Sequence, residues 1–195
     1  MSDIPQPCSW PSRFQRVLLI GSGAVGVALS PGWIALLKAW YQIDIRVILT
    51  HSADLMVSRQ IIGALSKHHV SGPNWDLNSS SVEHRELADW ADLVIVAPAT
   101  ANYITKLAQG NLDSLALYVP VLANVPVLII PSMPDRVISY PPVAKALLDL
   151  NEYENMYVVE TTTGLSAHSL QPSIGGLINI IDIVKYINYK FGKDV

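Results

Sequence analysis

Two short loops in this chain carry residue types and spacings suited to holding an anion. Gly21-Ser22-Gly23-Ala24-Val25-Gly26 has the G-x-G-x-x-G spacing and stands between an apolar run at 16–20 and a helical pattern at 25–41. Glycines let backbone N–H groups come close to a phosphate, and the helix that follows adds the positive end of its dipole. The other reading is a tight strand-to-helix turn with nothing bound. A dinucleotide site would also need an acidic residue at the end of the second strand to hold the ribose. That strand, 45–49, runs instead into Thr50-His51-Ser52. This argues against NAD, and it leaves Thr50 and Ser52 as hydroxyl donors at the start of the next helix, suited to bracket a terminal phosphate.

His84 could move a proton. It opens a short amphipathic helix at 85–90, with Leu87, Trp90 and Ala91 on the packing face. By position alone it is either a surface residue at a helix start or a cleft base, a role that an imidazole pKa of ~6.5 permits. Residues 93–97 follow as an unalternated apolar run, the pattern of a strand covered by helices on both faces. Pro98 is expected to end that strand, so that Pro98, Ala99, Thr100, Ala101 and Asn102 overhang the carboxyl edge of the sheet, where ligands bind in open α/β folds. His51, His68 and His69 have no carboxylate or cysteine at ligand spacing, so no metal site is expected. His168 reads as a loop histidine or a second acid or base.

The elements that must position these residues alternate along the chain. Strand-like runs at 16–20, 45–49, 93–97, 127–130 and 156–159 are interleaved with helical patterns at 25–41, 53–65, 85–90, 101–108, 143–150 and 178–191. This βαβ order predicts an α/β fold with a doubly wound, mainly parallel sheet. One domain at 16–195 is expected after an N-terminal arm at 1–15. Three stretches, 68–82, 131–142 and 161–176, break the pattern and read as loops. Half of the 195 residues are hydrophobic and only 15% are charged, with mean hydropathy +0.32, which points to apolar surface covered by subunit contacts in a homo-oligomer. The single cysteine, Cys8, excludes an intrachain disulfide and a cysteine-based metal site. A net charge of −3 without a basic cluster argues against nucleic acid. No apolar run approaches the ~20 residues of a membrane span and the N-terminus has no apolar signal core, so a cytoplasmic protein is expected.

The segment from His84 to Leu115, HRELADWADLVIVAPATANYITKLAQGNLDSL, resembles the homo-oligomeric flavin-containing cysteine decarboxylases. That family includes phosphopantothenoylcysteine decarboxylase and the epidermin-type lantibiotic-modifying enzymes. His84-Arg85-Glu86-Leu87 is similar to the segment carrying the family's catalytic histidine, and WADLVIVAPATAN to its strand and flavin-binding turn. ITKLAQGNLDSL and VLIIPSM continue the likeness, which extends more loosely over 16–159. The resemblance implies a Rossmann- or flavodoxin-like fold holding FMN, with FAD as the alternative. Gly21, Ser22, Gly23 and Ala24 would surround the phosphate with Thr50 and Ser52, and Pro98, Ala99, Thr100, Ala101 and Asn102 would line the flavin ring. Family enzymes oxidise a cysteine thiol to a thioaldehyde with the flavin as acceptor, and the β-sulfur then stabilises the carbanion left as CO₂ departs, giving an enethiol. His84 would be the base, and the assembly a trimer or dodecamer.

One departure bears on the substrate. The family's substrate-binding motif, Pro-x-Met-Asn-x-x-Met-Trp, stands here as Pro131-Ser132-Met133-Pro134-Asp135-Arg136-Val137-Ile138. Met133 is kept, but Pro134 replaces the asparagine that holds the substrate carboxylate and offers neither an amide nor an N–H. Arg136 is either its replacement, gripping carboxylate in a bidentate way, or an exposed loop arginine. The implied substrate is a cysteine-bearing molecule, a peptide ending in cysteine rather than phosphopantothenoylcysteine. A flavin-binding subunit without decarboxylase activity and a flavin prenyltransferase-like enzyme are the alternatives. The 161–176 stretch stands where the family places a clamp over the substrate, and Trp75 is either a packing residue or a cover for the flavin.

Overall fold

The computed structural model of the protein describes residues 5–75, 82–160, 163–165, 172–174, 176 and 179–192. Six strands, β1 (Arg16–Gly21), β2 (Asp44–Leu49), β3 (Val70–Ser71), β4 (Leu93–Ala99), β5 (Val127–Pro131) and β6 (Met156–Val158), form one sheet in the order β3-β2-β1-β4-β5-β6. Every neighbouring pair is parallel. This is the doubly wound sheet that the βαβ order predicts, and its strands β4 and β5 are apolar throughout because both faces are covered: all seven residues of β4 and all five of β5 are buried. Alternate side chains serve opposite layers. Val17, Leu19, Ile45 and Val47 pack against α1 (Ser30–Tyr41), α3 (Arg59–Ser66) and α9 (Ile180–Phe191). Leu18, Ile20, Val94 and Val96 pack against α4 (Glu83–Trp90), α5 (Ala101–Ala108), α6 (Leu115–Leu122) and α8 (Pro141–Asn151). The described part of the N-terminal arm packs on the first layer, where Trp10 stacks on Tyr41 at 5.2 Å and Phe14 meets Phe191 edge-on at 5.4 Å.

Strand order reverses between β1 and β4, and the two strands are fastened at both ends of their shared edge. At the amino end Asp92 Oδ2 accepts the backbone N–H groups of Gln15 at 3.1 Å and Arg16 at 2.8 Å, while Oδ1 accepts the Arg16 guanidinium at 2.6 Å. At the carboxyl end the Ser22 N–H and hydroxyl both donate to the Pro98 carbonyl, at 3.1 and 2.7 Å.

Several boundaries differ from the sequence expectation, each for a local reason. Pro98 does not end β4. The strand continues to Ala99 through a register shift between Val96 and Ala99, an irregularity of the kind that spares proline the ladder N–H it lacks. The helix expected at 25–41 begins as a 3₁₀ turn over Val25–Leu29, and α1 starts only at Ser30, where Pro31 fits the first turn. The pattern at 53–65 divides into α2 (His51–Asp54) and α3, because Thr50 and Ser58 each cap a new helix start. The loop expected at 131–142 contains α7 (Asp135–Ile138) and the start of α8, and 68–82 contains β3. α6 was not expected at all. It is apolar almost all round and holds Pro120, so it carries no periodic signal. Within 161–176, β7 (Thr163–Leu165) pairs antiparallel with β8 (Pro172–Ile174), and His168 lies outside the described residues.

Candidate functional site

A cleft of about 400 Å³ opens at the carboxyl edge of the sheet, where strand order reverses, and is lined by Ser22, Gly23, Thr50, Ser52, Thr100 and Asn102 among others. Open α/β sheets bind ligands at this place, outside the strand ends where neighbouring connections diverge. Thr50 and Thr100 occupy equivalent positions after β2 and β4. Each has extended backbone and caps the helix that follows, Thr50 accepting the Ala53 N–H at 3.4 Å and Thr100 the Tyr103 N–H at 3.3 Å. The glycine loop is held against the β4 turn by Ser22, which is 1% exposed. Its Oγ donates to Pro98 O and accepts the Thr100 N–H at 2.9 Å, so this hydroxyl fastens two loops together.

Gly23 is where the two brackets meet. A Cβ at this position would lie 2.3 Å from Ser52 Cβ, so only hydrogen lets the loops after β1 and β2 close to this distance. Among the described residues the Gly23 N–H has no acceptor, which leaves a donor available at the cleft. The helix dipole comes from a different element than expected. Because the glycine loop is followed by a 3₁₀ turn, the longer helix that opens at the cleft is α5, starting directly after Thr100. Gly21 is buried at the end of β1, Ala24 precedes the 3₁₀ turn, and Ala101 opens α5. Pro98 and Ala99 are buried within β4 and not among the lining residues, although the Pro98 carbonyl anchors the loop.

Sequence reasoning missed two charged groups here. Lys106 and Asp113 line the cleft as an ion pair with N···O 2.5 Å. The i, i+4 spacing of Asn102 and Lys106 places them on one face of α5 and could have revealed the lysine. Tyr103 lines the cleft as well. Its hydroxyl donates to the Ala116 carbonyl at 2.7 Å, and complete burial pushes the phenol far above its ordinary pKa, so it stays protonated.

His84 is not among the residues lining this cleft. It is half-buried at the second position of α4, and its ring meets Trp75 at 5.2 Å and Tyr118 at 5.1 Å, both edge-to-face. Asn74 and Leu117, the chain neighbours of those two aromatics, do line the cleft, so the ring cluster borders it. Met133 is 7% exposed and packs in the second core layer, while Arg136 is exposed on α7; neither lines the cleft. Among the described residues no three His, Cys, Asp or Glu side chains gather as a metal-binding group, and no helix is long and apolar enough to cross a membrane. Cys8 lies half-buried beside Trp10 and Tyr41 in the other core layer.

The model of the family described as Flavoprotein matches residues 8–192. The Coenzyme A biosynthesis bifunctional protein CoaBC of Bacillus subtilis is 37% identical over 157 residues, covering 78% of this chain and 37% of that protein. Its counterpart in Borreliella burgdorferi is 30% identical over 159 residues, covering 82% and 40%. The chain thus spans about two fifths of the length of these curated relatives. Among solved structures, the FMN-dependent cysteine decarboxylase SpaF superposes with a TM-score of 0.72 at 25% identity, over 87% of this chain and 94% of that one. TvaF, an FMN-dependent cysteine decarboxylase from thioviridamide biosynthesis, gives 0.71 at 27% identity over 75% and 90%.

Proposed function

The chain belongs to the Flavoprotein family, and from that premise we propose that it is an FMN-dependent decarboxylase acting on a substrate with a terminal cysteine, preferably a peptide. The observation that carries this reading is the cleft where strand order reverses. There a glycine loop and two capped threonine turns converge, and the end of β2 supplies hydroxyls in place of the acid that a dinucleotide ribose requires. Its volume of about 400 Å³ falls within the ordinary range of ligand sites. The donors fit a single terminal phosphate: the open Gly23 N–H, Thr50, Ser52 and the start of α5. Thr100, Ala101 and Asn102 lie alongside for the rest of the cofactor, next to the Lys106–Asp113 ion pair.

FMN, when bound, supplies a two-electron acceptor for the substrate thiol. The protein's own part is positioning and proton transfer. His84 takes a proton as the C–H and S–H bonds of the substrate cysteine are lost to form C=S. The C–CO₂⁻ bond then breaks, its electron pair moves toward sulfur, and protonation of that sulfur completes the enethiol. An enethiol released as product carries two electrons fewer than the thiol substrate, and those electrons have to leave the enzyme before the next turnover. Dioxygen or another two-electron acceptor must then be consumed, one equivalent for each CO₂ released. The loss of the motif asparagine at Pro134 favours a peptide over a pantothenate derivative. The working enzyme is a homo-oligomer, a trimer or dodecamer, in keeping with its apolar composition.

Reconstitution tests the proposal directly. Purified protein should take up FMN with absorbance bands at ~370 and ~450 nm. Peptides ending in cysteine should lose CO₂ and two hydrogens by mass spectrometry, faster than phosphopantothenoylcysteine under the same conditions. His84→Asn should lower the rate on the order of 10²–10⁴-fold, the usual contribution of a positioned base, with FMN still bound. A protein that cannot be loaded with FMN or FAD would sink the flavin reading, and full activity in His84→Asn would remove the base.

A further inference from the structure

We propose that Trp75 and Tyr118 are positioning residues for His84, fixing the direction of its imidazole by ring packing where a carboxylate partner would ordinarily do so. The inference rests on the reading of His84 as the base. Among the described residues neither ring nitrogen of His84 has a hydrogen-bond partner, although catalytic histidines are commonly oriented by a bond to the second nitrogen. Three rings instead close on one another. Trp75 and His84 lie at 5.2 Å and 85°, His84 and Tyr118 at 5.1 Å and 71°, and Trp75 and Tyr118 at 6.1 Å and 76°. Perpendicular contacts in this distance range are the favoured geometry for aromatic pairs.

The three rings come from three separate elements: the loop after β3, α4 and α6. The helix that carries His84 needs the support, since its N-cap, Val82, makes no side-chain capping bond. The Trp75 loop, by contrast, is firmly anchored. Gly72 has φ +72°, and a Cβ there would stand 2.5 Å from the Leu49 carbonyl, while the Arg59 guanidinium donates to the carbonyls of Gly72, at 2.7 Å, and Val70. From that anchor Pro73 and Asn74 enter the cleft lining and Trp75 reaches the histidine. On the other side Leu117 faces the cleft and Tyr118 the imidazole. The cluster therefore couples the cleft wall to the direction of the base, and small errors in that direction cost on the order of 10²-fold in rate.

The test uses the FMN-loaded full chain with Trp75→Leu, Tyr118→Leu and the ring-keeping Trp75→Phe and Tyr118→Phe. The leucine variants should lose tenfold or more in kcat with KM and FMN affinity unchanged, and the phenylalanine variants should recover most of it. Trp75 is 38% exposed, so its leucine variant does not disturb the core and carries the test even if Tyr118→Leu fails to fold. A second readout is independent of turnover. The His84 ring proton resonances, identified by their absence in His84→Asn, should be displaced by ring currents in the native protein and move toward free-imidazole positions in Trp75→Leu. Unchanged kcat in Trp75→Leu, or resonances that do not move, would overturn the proposal. Full activity in His84→Asn would remove the base while leaving the resonance shift to report on the cluster, so the two failures are distinguishable.

Discussion

Gly23 and Ser52 set the width of the cleft between them, because the space a methyl group would occupy on Gly23 is already filled by the Ser52 side chain. Gly23→Ala must therefore push apart the loops after β1 and β2. Overpacking of this kind costs about 1–3 kcal/mol, and where the displaced groups are ligand donors we expect the loss to appear in binding. FMN affinity measured by fluorescence titration should fall about tenfold or more, while circular dichroism stays native. An unchanged affinity would mean that the phosphate is held elsewhere. Sequence legibility at this scale followed the nature of the group. The G-x-G-x-x-G spacing and the missing acid after β2 could be read because each is a demand on residue type at a fixed place after a strand. The fastening role of Ser22 could not, since its partner Pro98 is 76 residues away. The distance of His84 from the cleft lining was equally hidden, because it depends on how α4 packs on α6.

The contact between β1 and β4 is the element on which the site depends, and Asp92 holds its far end. Burial pushes the Asp92 carboxyl up, but hydrogen bonds from the Arg16 side chain and from the backbone N–H groups of Arg16 and Gln15 outweigh it, and the net pKa lies below the usual carboxylate range. A folded-state pKa below the unfolded one adds stability that is present above the unfolded value and lost as pH falls through the folded one. Asp92→Asn should thus lower unfolding stability by about 1 kcal/mol near pH 7, toward the low end for a charge-assisted pair because Arg16 is half exposed. The gap between variant and wild type in urea melts should begin to narrow as pH falls below ~3.9 and go on narrowing through the lower folded-state pKa; an equal gap at pH 7 and pH 3 would contradict the assignment. Five of the six strands of the sheet were plain in the sequence, since burial leaves a mainly apolar run, whereas the two-residue β3 was too short to stand out. The same all-round burial hid α6, whose residues give a helix no polar face to mark its period.

At the scale of the whole molecule, apolar side chains remain uncovered near the edge that carries the cleft. Val25 is 58% exposed and Leu29 39% on the turn after β1, and Leu55 is 77% and Met56 49% just beyond α2. The turns that carry the two groups follow β1 and β2, which are neighbours in the sheet, and meet in the core where Val27 and Ala53 both approach Gly21. Scattered apolar residues on a surface call for no explanation, and these four are the place at which a contact between copies is predicted. The composition had pointed to covered apolar surface without saying where, since hydropathy counts residues and not their positions. A contact through these turns would assemble copies of the chain next to the cleft. Light scattering on the purified protein should accordingly give a multiple of the 21.3 kDa chain mass. Val25→Asp combined with Leu55→Asp should reduce it to a single chain with secondary structure intact, because a charge held in an apolar contact without a partner is strongly disfavoured while both side chains are already solvated in the free chain. A wild-type protein that runs as one chain would refute the assembly, and a double variant that keeps the native mass would move the contact to another face.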